Sequence, residues 1–192
     1  MTVLSQHTSD VNTARAFAGL KQRFPQWRDV VRAPASSVAD AIRSGGLADQ
    51  KAPRIQAILR EVEGREGALS LARLEGLPDH EVEDYLCSLP GVGPKTAACV
   101  LVFSLGRAAF PIDTHVHRIT KRLGWIPPNA SADKTHELLK DAIPPELRYE
   151  LHVQLIAHGR TICKARMPLC SGCALFDLCE TGPRLLAEGE AR

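Results

Sequence analysis

Four of the six cysteines in this 192-residue chain fall within seventeen residues: Cys163, Cys170, Cys173 and Cys179, spaced C-x6-C-x2-C-x5-C. Thiolates are metal ligands, and four in one compact loop can hold a zinc ion or an iron–sulfur cluster. Zinc ribbons pair two C-x2-C knuckles, whereas only one such pair is present here. Lys164 and Arg166 lie in the loop joining Cys163 to Cys170, where a metal centre would hold them rigidly. Cys87 and Cys99 sit on apolar helical faces and read as small buried hydrophobes.

A second stretch, LCSLPGVGPKTAACVLVFSLGRAAFPID from Leu86 to Asp113, carries a different chemistry. A helical pattern from Asp79 to Leu89 turns sharply through Pro90-Gly91-Val92-Gly93, and a new helix opens at Pro94. Proline suits the first helical position, where its missing N–H costs nothing. The glycines allow a tight turn and close approach to a neighbour. Backbone N–H groups of such a turn and of the following helix start can hold a phosphate. Helix, glycine-rich hairpin and helix together make a device for gripping a DNA strand without reading its bases. Lys95 falls in the first turn of the second helix. Asp113 lies eighteen residues on, just before a helix that begins at Thr114.

The elements that must position these residues all read as helices. Thr8, Ser9 and Asp10 can cap a first helix with Val11, Ala14, Phe17, Leu20 and Phe24 on one face, stopped by Pro25. A second helix starts near Ser37 with Asp40 as capping-box partner and ends at Gly45-Gly46. Ala52, Ile55, Leu59 and Val62 form a third apolar stripe, and a short helix spans Leu69 to Leu74. Beyond Asp113 the expected helices run from Thr114 to Leu123, from Ser131 to about Ile143, and from Leu147 towards Cys163. Arg118, Lys121 and Arg122 form a basic run on the first of these, available as counter-charge for DNA. No strand period persists, so the fold class is all-α.

Composition bounds the rest. The hydrophobic content is 44%, the charged content 24% and the formal net charge +2, as in an ordinary globular protein. Such a charge permits nucleic-acid binding only through a local basic surface. No apolar run approaches the roughly 18 residues of a membrane span. No charged-then-apolar leader opens the chain, so an intracellular, cytoplasmic location is expected, where a disulfide framework is disfavoured.

LPGVGPKTA followed by PIDTHVHR resembles the helix-hairpin-helix DNA glycosylases, most closely the endonuclease III branch. The cysteine spacing resembles the 4Fe–4S loop of the endonuclease III and adenine-glycosylase branches. The resemblance implies a helical-barrel domain over residues 1–107, with its hairpin at about 86–105, and an iron–sulfur cluster domain over 108–192. It implies catalysis by Lys95 and Asp113, and one 4Fe–4S cluster on the four cysteines. It implies DNA contacts from the hairpin residues Leu89, Gly91, Val92 and Gly93. LSQHTSD, Leu4 to Asp10, resembles the loop carrying a polar wedge for the gap left by an extruded base, with His7 where endonuclease III has Gln. SGGLADQKA, Ser44 to Ala52, resembles the loop whose apolar residue enters the opposite strand, here Leu47. HGR at His158 to Arg160 also resembles a family element.

The function so implied is that of a bifunctional DNA glycosylase and abasic-site lyase of base excision repair, removing oxidised pyrimidines from duplex DNA. The partner is double-stranded DNA with damaged bases or abasic sites, met by a monomer. A monofunctional glycosylase for mispaired thymine or adenine is the nearest rival, although those relatives carry another residue in place of Lys95. A non-catalytic iron–sulfur protein that binds damaged DNA is a rival from a different class.

Overall fold

The computed structural model describes residues 1–192, and the chain is all-helical with no strand. It forms two compact units, Met1–Val100 and Leu101–Arg192. The division falls within a helix, a few residues before the 107/108 boundary implied by the resemblance.

The first unit holds α1 (Asp10–Arg23), α2 (Trp27–Arg32), α3 (Ala35–Ala41), α4 (Ala48–Glu66), α5 (Asp79–Cys87) and the start of α6 (Pro94–Phe103). Ser9 caps α1, its hydroxyl accepting from Asn12 N–H. The buried face of α1 is Thr13, Ala16 and Leu20. Of the expected face, Leu20 is buried and Phe17 and Phe24 pack against the core, whereas Ala14 is exposed and Val11 is 67% exposed. Small residues win that face because α1 meets the α3 backbone closely: a Cβ on Gly19 would lie 2.7 Å from the Ala41 carbonyl oxygen. Thr13 tolerates burial because its hydroxyl bonds back to the Ser9 carbonyl.

The α2 helix went unread in the sequence, being too short to show a period. Its start is held by a capping box between Gln26 and Asp29. The next helix starts at Ala35 behind Pro34, without a side-chain cap, rather than at Ser37. A 3-10 turn at Ala72–Gly76 replaces the expected helix at Leu69 to Leu74.

The longest helix, α4, packs at the centre of this unit, with Ala52 and Ile55 in a core shared with Leu4, Ala16, Leu20, Val30, Val38 and Ile42. Its buried polar groups are satisfied. Gln56 donates to the carbonyls of Val30 at 2.8 Å and Ala33 at 2.7 Å, fastening α2. An unpaired amide at that depth would cost about 1–3 kcal/mol.

The second unit holds the end of α6, then α7 (Thr114–Arg122), α8 (Ala132–Lys140), α9 (Pro145–Thr161) and α10 (Gly182–Ala187). Its core gathers Phe110, Ile112, Val116, Ile119, Ile126, Leu139, Ile143 and Leu155. Ser131 caps α8 by accepting from Lys134 N–H, as its position predicts. Pro145 opens α9 at its first position, two residues before the expected start at Leu147. No helix is long and apolar enough to cross a membrane.

Candidate nucleic-acid interface and metal centre

The turn between α5 and α6 is built by its own backbone. Val92 N–H donates to the Leu89 carbonyl, and the Gly93 carbonyl accepts from both Thr96 and Ala97, starting α6. Gly91 takes φ +70°, and a Cβ there would stand 2.6 Å from Arg54 Nε. Gly93 has neither constraint, with open space where a Cβ would go. Leu89 is 4% exposed, so its side chain belongs to the core and only its backbone faces the turn.

The two glycines thus predict different outcomes. Gly91→Ala should strain the turn, displace Arg54 and weaken binding to damaged and undamaged DNA alike. Gly93→Ala should leave the thermal midpoint unchanged and weaken binding only through the methyl group meeting a phosphate. Binding titrations beside thermal melts separate the two, and a Gly91→Ala protein with wild-type affinity would remove the turn from the interface.

Lys95 is half-buried at the second position of α6. The next residue, Thr96, links back to the N-terminal loop, its hydroxyl accepting from Gln6 Nε2 at 3.4 Å. Gln6 Oε1 in turn accepts from Arg54 Nη1 at 3.0 Å. The loop bearing His7 and the hairpin are therefore joined through α4. His7 and Leu47 are both exposed and both left-handed, at φ 54° and φ 50°. That conformation costs a residue with a Cβ roughly 1–2 kcal/mol. Leu47 occupies the N-cap position of α4, where it offers no capping oxygen, and shows 47% of its surface. These are the two residues the sequence singled out as wedges.

In the second unit Asp113 is the N-cap of α7. One oxygen, Oδ1, accepts from His115 N–H at 2.9 Å and Val116 N–H at 2.7 Å. Both capping bonds use the same oxygen, so Oδ2 is left for other work.

The four cysteines come together around one apolar pocket, shared with Ile119, Leu123, Ile162, Phe176 and Leu185. Burial pushes the Cys170 thiol up, and the neighbouring thiols of Cys163, Cys179 and Cys173 add to it. Arg122 Nη1 donates to Cys163 Sγ at 3.2 Å, and Gly182 N–H to Cys179 Sγ at 3.3 Å. His158 of the HGR element brings Nε2 to 3.7 Å from Cys173 Sγ, and burial lowers its pKa. No three His, Cys, Asp or Glu side chains close around a single ion. In a 4Fe–4S centre each thiolate binds a different iron, so its ligands stand further apart than those of one zinc.

The basic run on α7 is reassigned by the structure. Arg118 donates to the carbonyls of Gly159 and Cys163, at 2.9 and 2.8 Å from Nη2. Arg122 donates to the carbonyls of Lys164 at 2.7 Å and Ala165 at 3.1 Å. Only Lys121 is left as an exposed, uncommitted cation of the three. Sequence reasoning also missed Met167, exposed by 40% and left-handed at φ 48° within the cysteine loop. It missed Lys51 and Arg54 as well, since nothing in residue type marks a lysine that binds carbonyls far away in sequence.

Fold and site together define an all-helical protein built on a helix-hairpin-helix unit with a four-cysteine pocket. Residues 1–145 match the HhH-GPD superfamily of base excision DNA repair proteins, and the chain belongs to that family. It is 45% identical over 171 residues to an Arabidopsis thaliana protein named as a DNA glycosylase, and spans about half that protein's length (56%). It is 37% identical to endonuclease III of Thermotoga maritima, covering all of this chain and 84% of that one. A solved non-covalent endonuclease III–DNA complex superposes with TM-score 0.83 at 31% identity, covering 96% of this chain and 82% of the other. A trapped endonuclease III–DNA covalent intermediate gives the same TM-score at 32% identity, with the same coverage. A thermostable thymine-DNA glycosylase, at 22% identity and TM-score 0.78, shows the shared fold alone.

Proposed function

We propose that this protein is a DNA glycosylase and abasic-site lyase that removes oxidised pyrimidines from duplex DNA, with Lys95 as nucleophile and Asp113 as a second catalytic residue. The observation that carries the reading is Lys95 itself, an amine in the first turn of α6 directly after the glycine turn. The likeness to an endonuclease trapped covalently on DNA supports a nucleophile supplied by the chain.

The target sugar is hidden in the stacked duplex, so the damaged nucleotide must first be extruded, which is cheapest for a weakly paired base. His7 and Leu47 fill the gap from two exposed loops. The neutral Lys95 amine attacks the sugar C1′, and the base leaves with the bonding pair and takes up a proton. One proton passes from the nitrogen to O4′ as the C1′–O4′ bond breaks and opens the ring, and the resulting protonated imine withdraws electrons from C2′. Loss of a C2′ proton then expels the 3′ phosphate, which cuts the strand. The role assigned to Asp113 in this reading is to stabilise, through Oδ2, the positive charge that grows on the sugar as the base departs.

Cys163, Cys170, Cys173 and Cys179 hold a 4Fe–4S cluster in this reading. Bound, it cross-links the loop from Cys163 to Cys179 and so fixes the chain after α9. The pocket fits it, because burial and the neighbouring cysteines disfavour a free thiolate at Cys170, a cost that a cationic iron centre would offset. Purified protein should release iron and acid-labile sulfide in equal amounts. Stoichiometric zinc without sulfide would overturn the cluster.

The test of function is a panel of duplexes, each with one damaged or mispaired base, run with and without borohydride. Base release with covalent trapping on oxidised pyrimidines is the expected result. Base release from a mispaired thymine or adenine without trapping would overturn it.

A further inference from the structure

Lys51 is 2% exposed, deeper than any other charged residue of the chain that lies in the core. It sits one turn into α4, and no carboxylate accompanies it. Its Nζ donates to the Leu4 carbonyl at 2.9 Å and to the Gly45 carbonyl at 2.8 Å. Those acceptors belong to two different loops. Leu4 stands three residues before His7, and Gly45 two residues before Leu47. The two loops lie close together, since a Cβ built on Gly45 would stand 3.9 Å from the Leu4 carbonyl oxygen.

A charge buried without a counter-ion is a poor way to add stability, because an apolar isostere fills the same space without desolvating an ammonium. Burial indeed lowers the Lys51 pKa. What the ammonium does that a methyl group cannot is to hold two carbonyls from separate loops at one point. Beyond those carbonyls both loops place an exposed side chain on a left-handed backbone, a conformation that persists only where its surroundings dictate it.

We propose that Lys51 is a positioning residue, whose buried ammonium ties the loops of His7 and Leu47 together so that both side chains enter the duplex as one unit. The inference rests on the proposed role of those two residues as gap fillers. Arg54, three residues further along α4, extends the arrangement by binding Gln6 beside His7 and packing on Gly91. One helix thereby sets the place of both wedges and of the hairpin.

The experiment compares Lys51→Met and Lys51→Gln with wild type on two duplexes, one undamaged and one with a stable tetrahydrofuran abasic analogue. Affinity for undamaged DNA, set by the hairpin, should hold. Preference for the abasic duplex should fall by about 10-fold, as for a contact made only in the extruded state. In a His7→Ala/Leu47→Ala background the same substitution should change the preference less than about 2-fold, because the coupled groups are already gone. An equal loss on both duplexes, or an undiminished loss in that background, would overturn the proposal. If the His7→Ala/Leu47→Ala protein keeps full preference, the gap-filling role itself fails, and Lys51 as its support fails with it. Should both Lys51 variants misfold, hydrogen exchange on the wild type decides. Amides of residues 4–8 and 44–50 should open with one shared free energy, and independent opening would overturn the link.

Discussion

Borohydride added during turnover is expected to join the wild-type protein covalently to DNA, whereas Lys95→Gln should form no adduct and release no base. The amine is the only group in this scheme that bonds to C1′, so its loss removes the pathway rather than slowing it. Glutamine occupies similar space and suits a helix, so α6 and the turn before it should be unchanged. Affinity for undamaged DNA should therefore stay close to wild type, since the phosphate contacts come from backbone N–H groups. If Lys95→Gln still nicks abasic DNA at the wild-type rate, the nucleophile lies elsewhere. A single-turnover gel assay on one abasic duplex, with parallel binding titrations, distinguishes these results.

Asp113→Asn should slow base release by roughly 10²–10³-fold, the loss typical when one preorganised electrostatic group is removed. Its geometry separates this effect from folding. Both capping bonds of α7 end on Oδ1, at 2.9 and 2.7 Å. An asparagine carbonyl can accept the same two bonds, and asparagine is as good an N-cap as aspartate. What changes is the other position, where a neutral amide replaces the charged Oδ2. Single-turnover rates with a thermal melt test the point. A variant that melts many degrees lower, with unchanged chemistry per folded molecule, would make Asp113 a cap and nothing more.

The placement of Lys95 and Asp113 at helix starts was legible in the sequence because the structures around them are local. The glycine turn, Pro94 at a helix start, Asp113 two and three residues from the amides it caps, and the crowded cysteines all declare themselves within a few positions. The carbonyl-binding cations did not. Lys51 reaches Leu4, Arg54 reaches Gln6, and Arg118 and Arg122 reach the Cys163 loop, across more than forty residues in each case. Their acceptors are mostly backbone oxygens, which every residue possesses, with one glutamine amide and one cysteine sulfur besides, so no pairing of opposite charges betrays them. The α1 face was misread for a related reason. Apolar periodicity favoured Val11 and Ala14, but the close crossing at Gly19 admits only the slim face of Thr13 and Ala16.

The reassignment of the α7 arginines bears on how binding should respond to ionic strength. Each cation that neutralises a phosphate adds about 0.9 to the slope of log affinity against log salt. Arg118 and Arg122 bind peptide carbonyls and a cysteine sulfur, which fixes their guanidinium groups in place and leaves their charge intact. The same bonds brace the segment that carries Lys164 and Arg166. The expected salt slope is therefore a test of α7: replacing exposed Lys121 with Ala should lower it by about 0.9 if that lysine meets a phosphate, whereas losing Arg118 or Arg122 should also disturb the loop they hold.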